Sequence, residues 1–258
     1  MIIGNGIGVP FKHSGGGGGG ASGIVTDGLA FYVDAGDTDS YPGSGTTWTD
    51  ISTNSHNGTL NNNPTFDSGD GGSIVFDGTD DFVELGNIDS SDAISLAGST
   101  GQTWEAWINS DGTGDPYQRI FDKSNGGNGA NGHFISLGAS ANDGRIYCRL
   151  NANSSDSGDG YFTGMHTAGS WSHVCVTRKN DTTSTGWNFY ANGVLKGSRN
   201  TIDLAVPTTT TRARIATWNH SVSREFNGKI AAVRLYNKDL SAEEVLQNFD
   251  ADKSRFGY

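Results

Sequence analysis

Residues 28–60 read GLAFYVDAGDTDSYPGSGTTWTDISTNSHNGTL, and after a short Asn/Pro/Gly spacer residues 73–85 read SIVFDGTDDFVEL. In the first segment Leu29, Phe31 and Val33 alternate with Ala30, Tyr32 and Asp34, the period-two pattern of a strand with one buried face. The Gly, Asp, Ser, Pro and Asn residues that follow read as turns. Further strand-like runs recur between turn signals at 73–77, 81–85, 103–109, 118–123, 133–138, 145–150, 171–178, 187–191, 194–197, 212–218 and 228–236. Many short strands with little helix point to an all-β chain folded as two antiparallel sheets in a sandwich.

Two local signals sharpen this reading. Asn192-Gly193 lies between two strand runs and fits a type I′ turn, which needs positive φ at both central residues. Ser241 with Glu244 three residues on forms a capping box, and Leu240 with Val245 occupies the staple positions, so one short C-terminal helix is predicted over 242–249. The expected organisation is an arm over 1–27 that ends in a polyglycine linker, a domain over 28–250, and an aromatic and basic tail over 251–258 that reaches a neighbour. In the arm Ile2, Ile3, Ile7, Val9 and Phe11 are spaced by glycines and precede the tract Gly15 to Gly20. Such an arm is expected to order by docking on a partner.

The net charge of −11 comes from 28 acidic against 17 basic residues, a balance that repels phosphate backbones and argues against nucleic-acid binding. Cys148 and Cys175 are the only cysteines, too few for a disulfide framework, and both sit in strand-like runs as buried free thiols. The N-terminal residues lack a basic start followed by an unbroken apolar core, and no run reaches the ~18 apolar residues of a membrane span. Neither a secretion signal nor a membrane anchor is expected.

The order of strands and turns in 28–85 resembles the start of a laminin-G-like, concanavalin A-like jelly-roll domain. WNFYANGVL over 187–195 and FNGKIAAVRLYNKDLSAEEVLQNF over 226–249 resemble the late hairpin and closing strand of that family. The resemblance implies a jelly-roll sandwich that recognises more often than it catalyses. It also implies that Trp48 and Trp171 are core residues. Three segments, DAGDTDSYPGSGTTWTDIS, NNPTFDSGDGGSIVFDGTDDFVEL and LYNKDLSAEEVLQNFDADKSRFG, are similar to laminin-G-like proteins of tailed-phage virions, especially marine and cyanobacterial ones. That likeness implies a non-enzymatic capsid decoration or fibre-like component, assembled in the host cytoplasm. Its partners would be other virion proteins docked through the arm, it would form a symmetric homo-oligomer, and host-surface glycans are a further candidate partner. A carbohydrate-binding lectin module is the alternative reading, and a glycoside hydrolase the weaker third.

Hydrolysis by a retaining glycosidase needs two carboxylates on one strand face, ~5–5.5 Å apart. The nearest run here, Thr79-Asp80-Asp81-Phe82-Val83-Glu84, has threonine at its first position and puts Asp81 and Glu84 on opposite faces. No Gly-x-Ser-x-Gly elbow occurs, and the histidines lack metal-ligand spacing; His173 in WSHVCVTR reads as structural. Gly127 to Gly132 matches the dinucleotide fingerprint only formally, because a strand-like run follows it. Calcium is the metal candidate, since hard cations take several carboxylate oxygens. Asp77, Asp80 and Asp81 on a tight turn form one set, and Asp34, Asp37 and Asp39 another. Against this, Ala231-Ala232 stands where many laminin-G-like relatives have Asp-Glu. Sugar recognition combines an aromatic platform with polar rim groups. Trp218, Asn219, His220 and Arg119 are the candidates, with Tyr117 and Gln118 beside Arg119. Asn57, Asn153, Asn180 and Asn219 begin Asn-x-Ser/Thr triplets of the kind common in polar loops.

Overall fold

The computed structural model describes residues 23–258 apart from 100, 125–131, 154–155, 180–184, 202–209 and 220–222. The docking residues Ile2, Ile3, Ile7, Val9 and Phe11, and the sugar candidate His220, lie outside the described residues. Among the described residues sixteen strands follow one another: β1 (Leu29–Asp34), β2 (Thr47–Trp48), β3 (Gly58–Asn61), β4 (Thr65–Asp67), β5 (Ser73–Asp77), β6 (Phe82–Ile88), β7 (Gly101–Ser110), β8 (Arg119–Lys123), β9 (Gly132–Leu137), β10 (Ile146–Asn153), β11 (Asp156–Phe162), β12 (Ser172–Lys179), β13 (Thr185–Ala191), β14 (Val194–Thr201), β15 (Thr211–Ile215) and β16 (Asn227–Tyr236). Helix α1 (Ala242–Asp252) and a 3-10 turn (Lys253–Phe256) close the chain.

Every strand pairing is antiparallel. The first sheet runs β14-β13-β12-β7-β16-β5-β4, and β1 pairs with the second half of β16, whose first half pairs with β5. The second sheet runs β11-β10-β9-β8-β15-β6-β3-β2. This is the all-β sandwich with one C-terminal helix that the sequence pattern implies, and the jelly roll that the resemblance implies. Asn192 and Gly193 have φ of 53° and 73°, so the turn between β13 and β14 has the predicted handedness. The run at 212–218 is shorter than its pattern suggests: β15 stops at Ile215, because Ala216 turns out with φ 70°. Strand β11, Asp156-Ser-Gly-Asp-Gly-Tyr-Phe, carries turn residues, and its pairing with β10 overrides their local preference.

Between the sheets, Trp104 stacks on Trp187 at 5.6 Å, and Trp48 is fully buried, as the resemblance implies. Cys148 and Cys175 are buried and free. The Trp104 indole N–H donates to His133 Nδ1 at 3.0 Å, which fixes a neutral imidazole in the core. Burial, reinforced by the Lys123 charge, pushes His133 down to about 3 from an ordinary value of 6.5. Between these values the unfolded chain holds the extra proton, so this group's contribution to stability is whole above 6.5 and falls as pH drops through the window. We expect about 2 kcal/mol of loss from this group between neutral pH and about pH 5. Urea unfolding at several pH values reads it: His133→Gln should lack that part of the slope, and parallel slopes for the two proteins would contradict the assignment.

The outer face of the first sheet is not solvent. Strand β1 was expected to bury one face only, yet Ala30, Phe31, Val33 and Asp34 are all buried, and Tyr32 is half-buried. The reason lies at the chain's other end. Ser241 Oγ accepts from Glu244 N–H at 3.3 Å and Glu244 Oε2 accepts from Ser241 N–H at 2.9 Å, so the predicted capping box starts α1. The helix runs three residues past its predicted end and, with the turn after it, covers β1, β7 and β16. Phe256 stacks on Trp107 at 4.1 Å and meets Trp171 at 4.7 Å, while Tyr258 donates to the Trp171 carbonyl at 2.7 Å. Residues 251–258, expected to extend toward a neighbour, therefore pack on their own domain. Ala231 and Ala232 are buried in the same aromatic cluster, which takes up the volume larger side chains would need.

A buried charge network ties this cover down. Arg234 donates to Glu105 Oε1 at 2.7 Å, to Tyr32 Oη at 3.0 Å and to Asp252 Oδ2. Glu105 also lies 3.3 Å from His173 Nε2 and accepts from the Asn248 amide at 2.8 Å. Burial alone would raise the Glu105 carboxyl, but His173, Arg234 and Asn248 outweigh it and hold it at about 2. His173 is thus structural. Arg255 grips Asp34 with two bonds, of 2.7 and 3.0 Å, and a Cβ on Gly36 would lie 2.2 Å from the Arg255 guanidinium.

Candidate functional site

The outer face of the second sheet carries a different surface. In β10, Ile146, Cys148 and Leu150 point into the sandwich, so alternation turns Tyr147 and Arg149 outward. Tyr147 is in register with Ser136 of β9 and Tyr161 of β11, and Arg149 with Phe134. The result is a row of rings. Tyr161 stacks on Tyr147 at 6.4 Å, Tyr147 on Phe134 at 5.8 Å, and Tyr117 meets Tyr147 edge-on at 5.8 Å.

Guanidinium groups interleave with the rings. Arg119 lies 3.6 Å above Phe134, Arg199 4.2 Å and Arg145 5.2 Å from Tyr161, and Arg224 4.6 Å from Trp218 and 5.7 Å from Tyr117. Arg214 of β15 stacks on Phe82 at 4.4 Å and pairs with Glu84 at 2.9 Å. A cation over an aromatic face is held by the ring quadrupole at about 0.5–2 kcal/mol per pair. Six of the ten arginines of an acidic chain, Arg119, Arg145, Arg149, Arg199, Arg214 and Arg224, gather on or beside this one surface.

The sequence-derived sugar candidates fare unequally. Trp218 is half-buried at the end of this face, under Arg224. Arg119 was expected at the rim but is wholly buried: Nε donates to Asp122 Oδ2 at 2.6 Å, Nη1 donates to the Tyr117 carbonyl at 3.0 Å, and Nη2 has no partner. Burial first, and then the nearby Arg224 charge, hold it down at about 10 against the pull of Asp122. It is the floor of the face, because a bulge in β8 between Arg119 and Phe121 sinks it beneath Tyr117. Asn219 is spent on structure. Its amide donates to the carbonyls of Ser124 at 2.8 Å and Arg212 at 2.7 Å and to Thr211 Oγ1 at 3.1 Å, fastening the loop after β15.

At the rim, Asp77, Asp80 and Asp81 bring three carboxylates within 4.8 Å of one another. Asp77 Oδ1 caps Thr79 N–H at 2.8 Å, and Asp81 Oδ2 accepts from Asp77 N–H at 3.1 Å. Burial, with the Asp77 and Asp80 charges adding to it, pushes Asp81 up to about 6. Three close oxygen donors, one of them reluctant to ionise alone, suit a hard dication. The second acidic set does not form: Asp34 is bound by Arg255, and Asp37 caps Asp39 N–H at 2.9 Å. The glutamates do not pair in a cleft. Glu84 holds Arg214, Glu105 is buried, Glu225 accepts from Thr217 at 3.4 Å, and Glu243 and Glu244 start α1.

Residues 77–246 match a family model described as the concanavalin A-like lectin/glucanases superfamily. The chain belongs to this superfamily. No curated protein matches it in sequence. Among solved structures, domain 4 of AbnA, a GH43 extracellular arabinanase from Geobacillus stearothermophilus in complex with arabinotriose, is similar at 19% identity and TM-score 0.58, over 85% of this chain and 97% of that one. The receptor-binding domain of botulinum neurotoxin type G is similar at 14% identity and TM-score 0.60, over 87% of this chain and 51% of that one. A botulinum neurotoxin type C structure, described by cell entry dependent on two ganglioside molecules, is similar at 13% identity and TM-score 0.63, over 88% and 52%. The chain spans about half the length of these neurotoxin chains. At these identities the likeness is one of fold.

Proposed function

We propose that this concanavalin A-like domain is a non-enzymatic glycan-binding module whose ligand lies along the outer face of the second sheet. The carrying observation is the row Tyr117, Tyr147, Tyr161 interleaved with arginines, because a sugar offers apolar C–H faces to rings and hydroxyl edges to polar groups. The scattered glutamates support binding without hydrolysis. Calcium held by Asp77, Asp80 and Asp81 is the cofactor of this reading, and its role is to fix the turn between β5 and β6 at the rim.

Affinity electrophoresis of the full chain through gels containing a panel of polysaccharides, run with calcium and with EDTA, tests both parts. Retardation by at least one polymer should be weakened about tenfold by Tyr161→Ala, a change at a ring 38% exposed that leaves the fold intact. A calcium-dependent rise in melting temperature should vanish in Asp81→Asn. No retardation by any polymer removes the module reading, and a melting temperature indifferent to calcium removes the metal.

The setting that the sequence likeness to tailed-phage virion proteins implies is display on a particle. The order of the sequence supports it, an apolar segment set apart by a run of six glycines from the domain that would be displayed. Deleting residues 1–22, which stops short of the buried Val25 packed against Tyr236 and Val245, should abolish incorporation into particles while leaving the domain folded; normal incorporation would refute the display reading.

A further inference from the structure

We infer that the ligand of this face is an acidic polysaccharide, a chain bearing carboxylate or sulfate groups, and not a neutral one. The inference rests on the glycan-binding reading above. It comes from an imbalance of donors over acceptors. A guanidinium presents five N–H donors and no acceptor, whereas a neutral sugar hydroxyl both donates and accepts, so a neutral ligand needs carboxylates or carbonyls beside it. Here two of the carboxylates are already taken, Asp122 by Arg119 at 2.6 Å and by Ser124, and Glu84 by Arg214 at 2.9 Å, while Asp115 accepts from the Arg224 backbone N–H at 3.4 Å. Arg224 has no ion-pair partner among the described residues, and Arg145 reaches Asp143 only at 3.8 Å. What the surface offers is unspent donors.

Their geometry suits anions. A guanidinium stacked flat on a ring keeps its N–H edges in its own plane, pointing sideways along the face, where a carboxylate or sulfate can take two of them at once. Arg145 and Arg224 flank the two ends of the Tyr161-Tyr147-Tyr117 row, so rings between them meet sugar faces while charges at either end meet anionic substituents. Below the row, Asp122 balances the Arg119 charge through Nε, and the buried Nη2 of Arg119 has no partner. The backbone is bent to make this arrangement: Tyr117 and Arg224, neither of them glycine, hold φ of 60° and 65°. Such conformations are sparsely populated, cost of order 1 kcal/mol or more each, and cluster at ligand sites.

The test uses the full chain and four probes: polygalacturonate, the same polymer after carboxyl reduction, chondroitin sulfate, and single-stranded DNA. Binding should be seen to polygalacturonate or chondroitin sulfate and be lost on carboxyl reduction. It should weaken about tenfold in each of Arg224→Gln and Arg145→Gln, because charge-assisted hydrogen bonds contribute about 1.5–3 kcal/mol. It should also weaken about tenfold or more between about 50 mM and about 500 mM salt. Equal binding to the reduced polymer, unmoved by salt, would overturn the acidic assignment and leave the glycan-binding reading standing. Binding to DNA alone, or to none of the four, would overturn the acidic assignment; only failure on the full neutral and acidic panel would also remove the glycan reading. Melting curves show whether either variant has lost its fold.

Discussion

Replacing Arg234 by methionine is expected to lower the unfolding free energy by about 3–5 kcal/mol, since breaking a buried ion pair from one side strands the other charge. Among the described residues Arg234 is the only cation within ion-pair distance of Glu105 apart from His173, and it bridges Glu105 on β7 to Asp252 at the end of α1. Its removal leaves a carboxylate wholly enclosed beneath the helix. Urea unfolding at neutral pH measures the loss, and a cost under about 1 kcal/mol would mean that the network is worth no more than a surface pair. The double variant Glu105→Gln with Arg234→Met should recover part of the loss, because no fully buried charge is then left alone.

Phe256→Ala is expected to cost about 3–5 kcal/mol, the range for emptying a buried phenylalanine site. The ring lies flat on Trp107 and tilted against Trp171, on top of the Ala231-Ala232 floor. Without it the 3-10 turn loses its main apolar anchor and keeps the Arg255 grip on Asp34, the Tyr258 bonds to Trp171 and Asn192, and the Tyr258 ring against Phe249. The measurement is a melting curve with tryptophan fluorescence, where a red shift would report water reaching Trp107. An unchanged curve would show that the turn rests on its polar contacts alone.

Both expectations concern a cover that local sequence signals announced only in part. The Ser241 and Glu244 box started α1 where the pattern placed it. Nothing in Ala-Asp-Lys-Ser-Arg-Phe-Gly-Tyr said that the last residues would fold back, because that depends on Trp107 and Asp34, far away in the chain. The same limit applied to the candidate site. Trp218 and Arg119 were named from composition and placed on a common surface, yet Arg119 became its floor and Asn219 a loop fastening. Tyr147, Tyr161, Phe134, Arg145 and Arg224 were missed. The run Ile-Tyr-Cys-Arg-Leu over 146–150 held a usable signal, since its alternation already separated Tyr147 and Arg149 from the apolar residues.

By itself the sequence determined what short-range chemistry controls: the strand periodicity, the Asn192-Gly193 turn, the helix start, the two free buried cysteines and the membership of an all-β sandwich class. Period two assigns neighbouring side chains to opposite sides of a strand but does not say which side another layer will cover. For β1 both sides were covered, and for β10 one side stayed open to carry the aromatic and arginine row. That decision belonged to the tertiary structure, because residues from 117 to 224 meet on one face only through strand pairings and loop packing set by burial across the whole sandwich.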